Sequence, residues 1–278
     1  MNAECTSSQR RHQLVAYFLL TYALSWAIEI PVALSLRGVI AARVPFALHY
    51  LASFGPLLAA VIVTLAGDGL PGLRRLFGGL ARWRVERVYS LVGLVAPCVL
   101  FALVVAASAL LQGALPDLSS LGQPDYLPYI GILPTLGLWL LTFGLGEEVG
   151  WRGFALPRLQ AGRSAFSASL LLGAFWACWH LPAVFYRDTY MAMGLLVIPM
   201  LLVVATVGSV VYTWLYNGTR GSLLMLVLFH GLFDFFSVWE GGVIGAGPVM
   251  TVVMVFWAVR VFKVYGRANL APVEKLVI

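Results

Sequence analysis

Leu136-Gly-Leu-Trp-Leu-Leu-Thr-Phe-Gly-Leu145 leads without a single charge into Gly146-Glu147-Glu148-Val149-Gly150-Trp151-Arg152. The apolar half belongs in hydrocarbon, whereas two carboxylates and a guanidinium group need water or partners. Ionisable groups at membrane depth cost free energy, are rare, and mark function by default. On a helix, Glu148 and Arg152 stand at i and i+4, in the order that favours an ion pair. Glu147 is turned about 100° from Glu148, so it is left without that cation. One carboxylate held and one available is what general-base chemistry requires. The competing reading is a pair of acids that merely caps a helix at the membrane surface.

The rest of the chain agrees with a membrane setting. Of its 278 residues 61% are hydrophobic and only 11% charged, the balance of a polytopic membrane protein and not of a soluble domain. The formal charge of +6 comes from short connectors between apolar runs, so no nucleic-acid partner is expected. Cys5, Cys98 and Cys178 are too far apart for a metal or redox motif. The last two lie in apolar runs and read as small buried residues. No secretory signal stands out, because the first apolar run is too long for one.

Runs long enough to cross roughly 30 Å of hydrocarbon fall near 13–36, 44–66, 89–114, 131–159, 165–186, 194–216, 222–239 and 243–263. The expectation is an all-α fold, a single integral membrane domain over residues 1–278. It is a polytopic helical bundle of about eight transmembrane helices around a polar intramembrane cavity. The motif-bearing core is about 131–240. Orientation follows from the basic residues. With the N-terminus in the cytoplasm, fifteen of the eighteen Lys and Arg fall on the inner side, Arg74, Arg75, Arg82, Arg84 and Arg87 among them. Only Arg37, Arg43 and Arg187 fall outside, which is the positive-inside bias. Both termini are therefore expected in the cytoplasm, with the protein in the plasma or inner membrane.

Within the inner connector Gly67–Arg87, Leu73, Leu76, Phe77, Leu80 and Trp83 recur at helical spacing between the arginines. That pattern reads as an amphipathic helix on the anionic inner leaflet. The outer connector Leu115–Leu127 holds Asp117 and Asp125 and no base.

Two histidines interrupt apolar helices. His180 ends Ala174-Phe-Trp-Ala-Cys-Trp-His180, and His230 opens His230-Gly-Leu-Phe-Asp234, with Asp234 on the same helical face. Counted from the connector around Ala161–Ser164, Glu147 is about twelve residues back and His180 about fifteen forward. Both then lie roughly 20 Å from the turn at about 1.5 Å per residue. His230 counts out nearer its own connector, and a helix starting before Ser222, or a tilt, would close the gap. A lone intramembrane histidine is often a strut between helices, but six such polar groups favour one shared site. Gly146 and Gly150 have the spacing that lets a neighbouring backbone approach. Trp151, Trp176 and Trp179 wall the site or simply pack. Glu29 reads as a satisfied group near the outer interface, and His49 and His12 as solvated. The sequon Asn217-Gly218-Thr219 lies in an inner turn and carries no weight.

Glu147-Glu148 with Arg152, Trp176 with His180, and His230 with Asp234 follow one another on three membrane helices. Together they resemble the ordered motifs Glu-Glu-x-x-x-Arg, Phe-x-x-x-His and His-x-x-x-Asn/Asp of the CPBP family of intramembrane proteases. That family comprises the type II CAAX prenyl endopeptidases and the related Abi-like bacteriocin-processing or immunity proteins. The resemblance covers residues 136–239, with Trp176 in the usual Phe position and Asp234 where Asn is frequent. It implies an intramembrane endopeptidase in which His230 and Asp234 serve the oxyanion. Glu148 and Arg152 then support the site or grip a substrate carboxylate, and Trp176 shapes it. An Asn amide donates to an oxyanion, whereas an ionised Asp repels it. Asp234 therefore either donates in protonated form or orients His230.

Amide hydrolysis needs an activated water and a stabilised oxyanion. No Ser or Cys is coupled to the histidines, since Cys178 stands two residues from His180 and points elsewhere. The expected catalytic residues are Glu147 as general base, His180 on the water, and His230 with Asp234. No cofactor is favoured. The alternative is zinc on Glu147, His180 and His230, although there is no His-Glu-x-x-His and Arg152 already claims Glu148, the remaining base. Two other classes compete: a non-catalytic immunity or scaffolding protein, and a small proton-coupled transporter, which would be expected to show paired halves with broken helices. The expected partners are membrane lipids and a peptide or lipidated protein substrate, CAAX-like or a leader. Nothing in the sequence speaks to oligomeric state.

Overall fold

The computed structural model describes residues 7–124 and 127–278; Cys5 and Asp125 lie outside them. Among the described residues the protein is all-α, with no strand. Helix α1 spans Ser7–Leu36 and α2 Phe46–Gly78. Helices α3 (Arg87–Leu94) and α4 (Ala96–Gln112) meet at a 48° bend. Helix α5 runs Ile132–Gln160, α6 Ala165–Phe185 and α7 Gly194–Gly218. Helix α8 covers Leu223–Ser237 and α9 Ala246–Asn269.

Six of these are long and apolar enough to cross a membrane alone, and the bent pair α3–α4 makes up to seven. The protein is thus a multi-pass membrane bundle. Every expected apolar run carries a helix, although the expected count of eight crossings is not confirmed. The helix that falls short of a full span is α8, whose 15 residues extend about 22 Å. Its connector is drawn into the bundle instead of lying at the rim. Thr219 and Ser222 are buried, the Leu223 amide donates to the Gly79 carbonyl at 2.9 Å, and Ser222 Oγ donates to the Arg82 carbonyl at 2.5 Å. Ser222 also caps α8 by accepting from the Met225 amide.

The helices alternate in direction, so their ends sort into two sets. At one end Arg37 Nε donates to the Phe185 carbonyl at 2.8 Å and Trp239 Nε1 to the Asp117 carbonyl at 3.2 Å. At the other, Arg158 joins Gln13 and Asp68 at 3.0 and 2.9 Å, and Gln160 pairs with Asn217. Asn217 is fully buried, which leaves its sequon without a surface.

Between the two sets, α5 is the central element. It packs so tightly on α2 that a Cβ at Gly150 would sit 2.4 Å from the Pro56 carbonyl oxygen, and one at Gly146 2.6 Å from that of Ser53. Around it Tyr17, Trp151, Phe154, Leu172, Leu226 and Phe229 form the main core. Helix α2 breaks at Gly69, where φ is 62°. Beyond the break Leu76 turns inward while Phe77 and Trp83 stay exposed, as an amphipathic segment should. Cys98 and Cys178 are exposed, contrary to the expectation of burial: they stand on the outward faces of α4 and α6, where no neighbouring helix covers them.

Candidate active site

Helix α5 carries its charges on wide turns. Leu140–Glu147 and Val149–Ala155 are both π-helical, a geometry found mostly at functional sites. Glu148 nonetheless reaches Arg152, with Nη1 donating to Oε1 at 2.8 Å and both side chains fully buried. The same Oε1 lies 2.8 Å from His230 Nδ1. The far nitrogen of that ring, Nε2, lies 3.3 Å from Asp234 Oδ2, whose side chain is 30% exposed. His230 is therefore gripped between two carboxylates, one on α5 and one on its own helix.

The guanidinium of Arg152 lies over two rings, 4.6 Å from the Trp176 centroid and 4.4 Å from that of Tyr212. Its Nε and Nη2 have no hydrogen-bond partner among the described residues, so these aromatic faces are what compensates them. Glu147 is buried beside this pair without joining it. Its Oε2 accepts from Trp176 Nε1 at 2.8 Å.

Trp176 also orders His180. The α-helical part of α6 stops at Trp179 and His180 forms its cap, with Pro182 following in a short 3-10 turn. His180 Nδ1 donates to the Trp176 carbonyl, 2.8 Å away. This assigns the ring proton to Nδ1 and leaves Nε2 as a bare acceptor. One tryptophan thus holds the Glu147 carboxylate with its indole and the His180 ring with its backbone. The expected site residues Glu147, Glu148, Arg152, Trp176, His180, His230 and Asp234 are all tied together through these contacts. His230 reaches Glu148 although α8 starts no earlier than Leu223; the recessed connector starts the helix part-way up the bundle and supplies the missing height.

Sequence reasoning missed two parts. Tyr212, on α7, stacks edge-on against both Trp176 and His230, and no motif spacing singled it out. A second buried cluster joins α1, the start of α2 and the end of α6. His49 Nδ1 donates to the Tyr186 hydroxyl at 2.6 Å, which donates in turn to Glu29 Oε1 at 2.9 Å. His49 is thus buried, not solvated as expected: the 3-10 turn at Phe46–Leu48 folds it in beneath Tyr186. Glu29 is only half satisfied, since its Oε2 has no partner among the described residues.

Both nitrogens of His230 face carboxylate oxygens, so a metal on this ring would have to displace one of those contacts. No group of three or more His, Cys, Asp or Glu among the described residues is disposed to bind one.

Fold and site together define a class: a multi-pass helical membrane protein with a carboxylate–imidazole cluster buried in its apolar interior. Residues 128–236 match the sequence profile of a family described as Rce1-like, type II CAAX prenyl endopeptidase. Over 114 residues the chain is 32% identical to a protein of Methanococcus maripaludis named CAAX prenyl protease 2; the match takes in 37% of this chain and 39% of that relative. The stretch matched to the family, 128–236, takes in all three motifs, and the chain spans well under half of the relative's length.

Proposed function

We propose that the protein is an intramembrane endopeptidase that hydrolyses a peptide bond in a membrane-associated polypeptide, with Glu147 as the base. The observation that carries this reading is that Glu147 is unclaimed by Arg152 and shares Trp176 with His180. A water between the Glu147 carboxylate and the bare Nε2 of His180 gives up a proton to Glu147 as its oxygen attacks the scissile carbonyl. The carbon–nitrogen bond then breaks, and the same proton passes from Glu147 to the leaving amine.

His230 is the group we assign to the oxyanion. Its Nε2 contact with Asp234 is long at 3.3 Å, so an N–H there can swing part of its bond toward a developing negative charge. Glu148 and Arg152 hold His230 from behind. Family similarity in residues 128–236 supports peptide hydrolysis over scaffolding or transport. The protein sits in the plasma or inner membrane with both termini in the cytoplasm on this reading, since the base-rich helix ends are then inside. We write the chemistry without a metal, because both His230 nitrogens are already engaged by carboxylates.

The test is mass spectrometry of membrane peptides from cells carrying the wild type or Glu147→Gln. Uncut peptide accumulating in the variant supports hydrolysis, whereas unchanged peptides with full biological function favour a scaffold. Processing by the purified protein in the presence of a strong chelator should match that in its absence. A loss restored by added zinc would reverse the assignment of the base.

A further inference from the structure

We infer that Glu29, acting through the Tyr186 hydroxyl, is a positioning residue for His180: it holds the turn that carries this histidine against α1 and so fixes where the ring presents Nε2. This deepens the hydrolytic reading and rests on it. The need for such a hold arises from the backbone. The α-helical part of α6 stops at Trp179, and Leu181–Phe185 is a 3-10 turn. Its bonds, from the Ala183 amide to the His180 carbonyl at 3.0 Å and from the Tyr186 amide to the Ala183 carbonyl at 3.2 Å, have poorer geometry than an α-helical ladder. Pro182 brings no N–H to add another. His180 therefore stands where its own helix no longer fixes it.

Bonds from α1 and α2 supply the constraint. Trp26 Nε1 donates to the Trp179 carbonyl at 3.0 Å, just before the histidine. Tyr186 secures the far side of the turn. Its hydroxyl has one proton to give and Glu29, as a carboxylate, only accepts. Tyr186 thus donates to Glu29 Oε1 at 2.9 Å and accepts from His49 Nδ1 at 2.6 Å. All three side chains are buried, away from competing water. Glu29 Oε2 has no partner among the described residues, so one acceptor oxygen on this residue accounts for the hold.

The same cluster braces the helix of the base. The His49 ring lies 5.6 Å from that of Tyr186 and 5.9 Å from that of Phe143, and Phe143 stands four residues before Glu147 on α5. Glu29 is within electrostatic reach of Glu147, and His49 of His180. The cluster touches both elements that carry the proposed pair.

The test uses the full chain in detergent and a synthetic copy of the peptide that accumulates uncut in cells carrying Glu147→Gln. Rates are taken per folded molecule, well below each variant's unfolding temperature. Tyr186→Phe should lower kcat by about tenfold or more while KM stays within about twofold. Glu29→Ala should do the same. Glu29→Gln keeps an oxygen for the tyrosine and should hold kcat within about threefold of the wild type. Tyr22→Phe is the control, because it removes a similar bond, to the Phe175 carbonyl at 2.8 Å, from the α-helical stretch of the same helix pair. Its kcat should match the wild type. Equal losses in Tyr22→Phe and Tyr186→Phe would mean a general loss of packing and overturn the inference. So would a KM that rises while kcat is kept, a Glu29→Gln as slow as Glu29→Ala, or a Tyr186→Phe as fast as the wild type. With Glu147→Gln inactive, those results leave hydrolysis standing. If no peptide accumulates, or Glu147→Gln cleaves as well as the wild type, the hydrolytic reading falls and this inference falls with it.

Discussion

Glu147 and Glu148 are neighbours with opposite duties, and the difference lies in what their oxygens touch. Glu148 Oε1 takes a bond from Arg152 and faces His230, so it is a structural anion. Among the described residues Glu147 accepts its hydrogen bond from an indole N–H, a neutral donor that positions the carboxylate without neutralising it. Substitutions should therefore separate activity from stability. Glu147→Gln keeps the shape and the Trp176 bond but cannot take a proton, so processing should fall by about two to four orders of magnitude with the unfolding temperature in detergent unchanged. Arg152→Ala leaves the buried Glu148 carboxylate without its cation and should cost about 3–5 kcal/mol of stability, read as a large drop in that temperature. If Glu147→Gln also melts early, the distinction drawn here is wrong. The motif residues were legible in the sequence because ionisable groups in apolar runs are conspicuous wherever they fall. Tyr212 was not: a tyrosine between valines and a threonine looks like packing until Arg152 is seen above its ring. The Glu29–Tyr186–His49 cluster was hidden for a different reason, since its members lie on three segments with no shared spacing.

Helix α5 shows what one element must reconcile. Its charges need room, which the π turns supply, and its opposite face needs close contact with α2, which Gly146 and Gly150 supply. Hydrophobic pattern announced the helix but not its wide turns, because a π turn alters backbone pitch without requiring a different residue type. The glycine spacing did signal the close approach. At Gly150 the obstacle is backbone, 2.4 Å from an added Cβ, so no rotamer can relieve it. Gly150→Ala should accordingly destabilise by about 1–3 kcal/mol and pull the motif away from α2. By contrast, Gly162→Ala in the turn before α6 meets nothing within 4 Å and should be neutral. Thermal unfolding of the two variants in one detergent makes the comparison, and equal shifts would refute the packing argument.

Across the whole molecule, hydropathy located every helix because lipid solvates apolar faces that water would not. It gave no hint that α8 is short, because it reads composition and not height: the run at 222–239 is apolar throughout, yet its helix starts inside the bundle under Gly79 and Arg82. The same base-rich end is completed by residues 270–278. Leu276 is held twice, its carbonyl by Gln160 at 2.8 Å and its amide by Asn217 Oδ1 at 3.3 Å. Lys275 is held by the Asn269 side chain and the Arg163 carbonyl, and Leu270 is fully buried. Such a segment strengthens the scaffold while staying remote from the chemistry, because α5 runs through a packed core between it and Glu147. Deleting 270–278 forfeits one buried leucine, worth about 2 kcal/mol, and several hydrogen bonds of about 1 kcal/mol each. The shortened protein should unfold at a lower temperature but, assayed well below it, process substrate at the full rate per folded molecule. A rate that falls in proportion to the residues removed, with unfolding unchanged, would mean that the base-rich end takes part in the reaction after all.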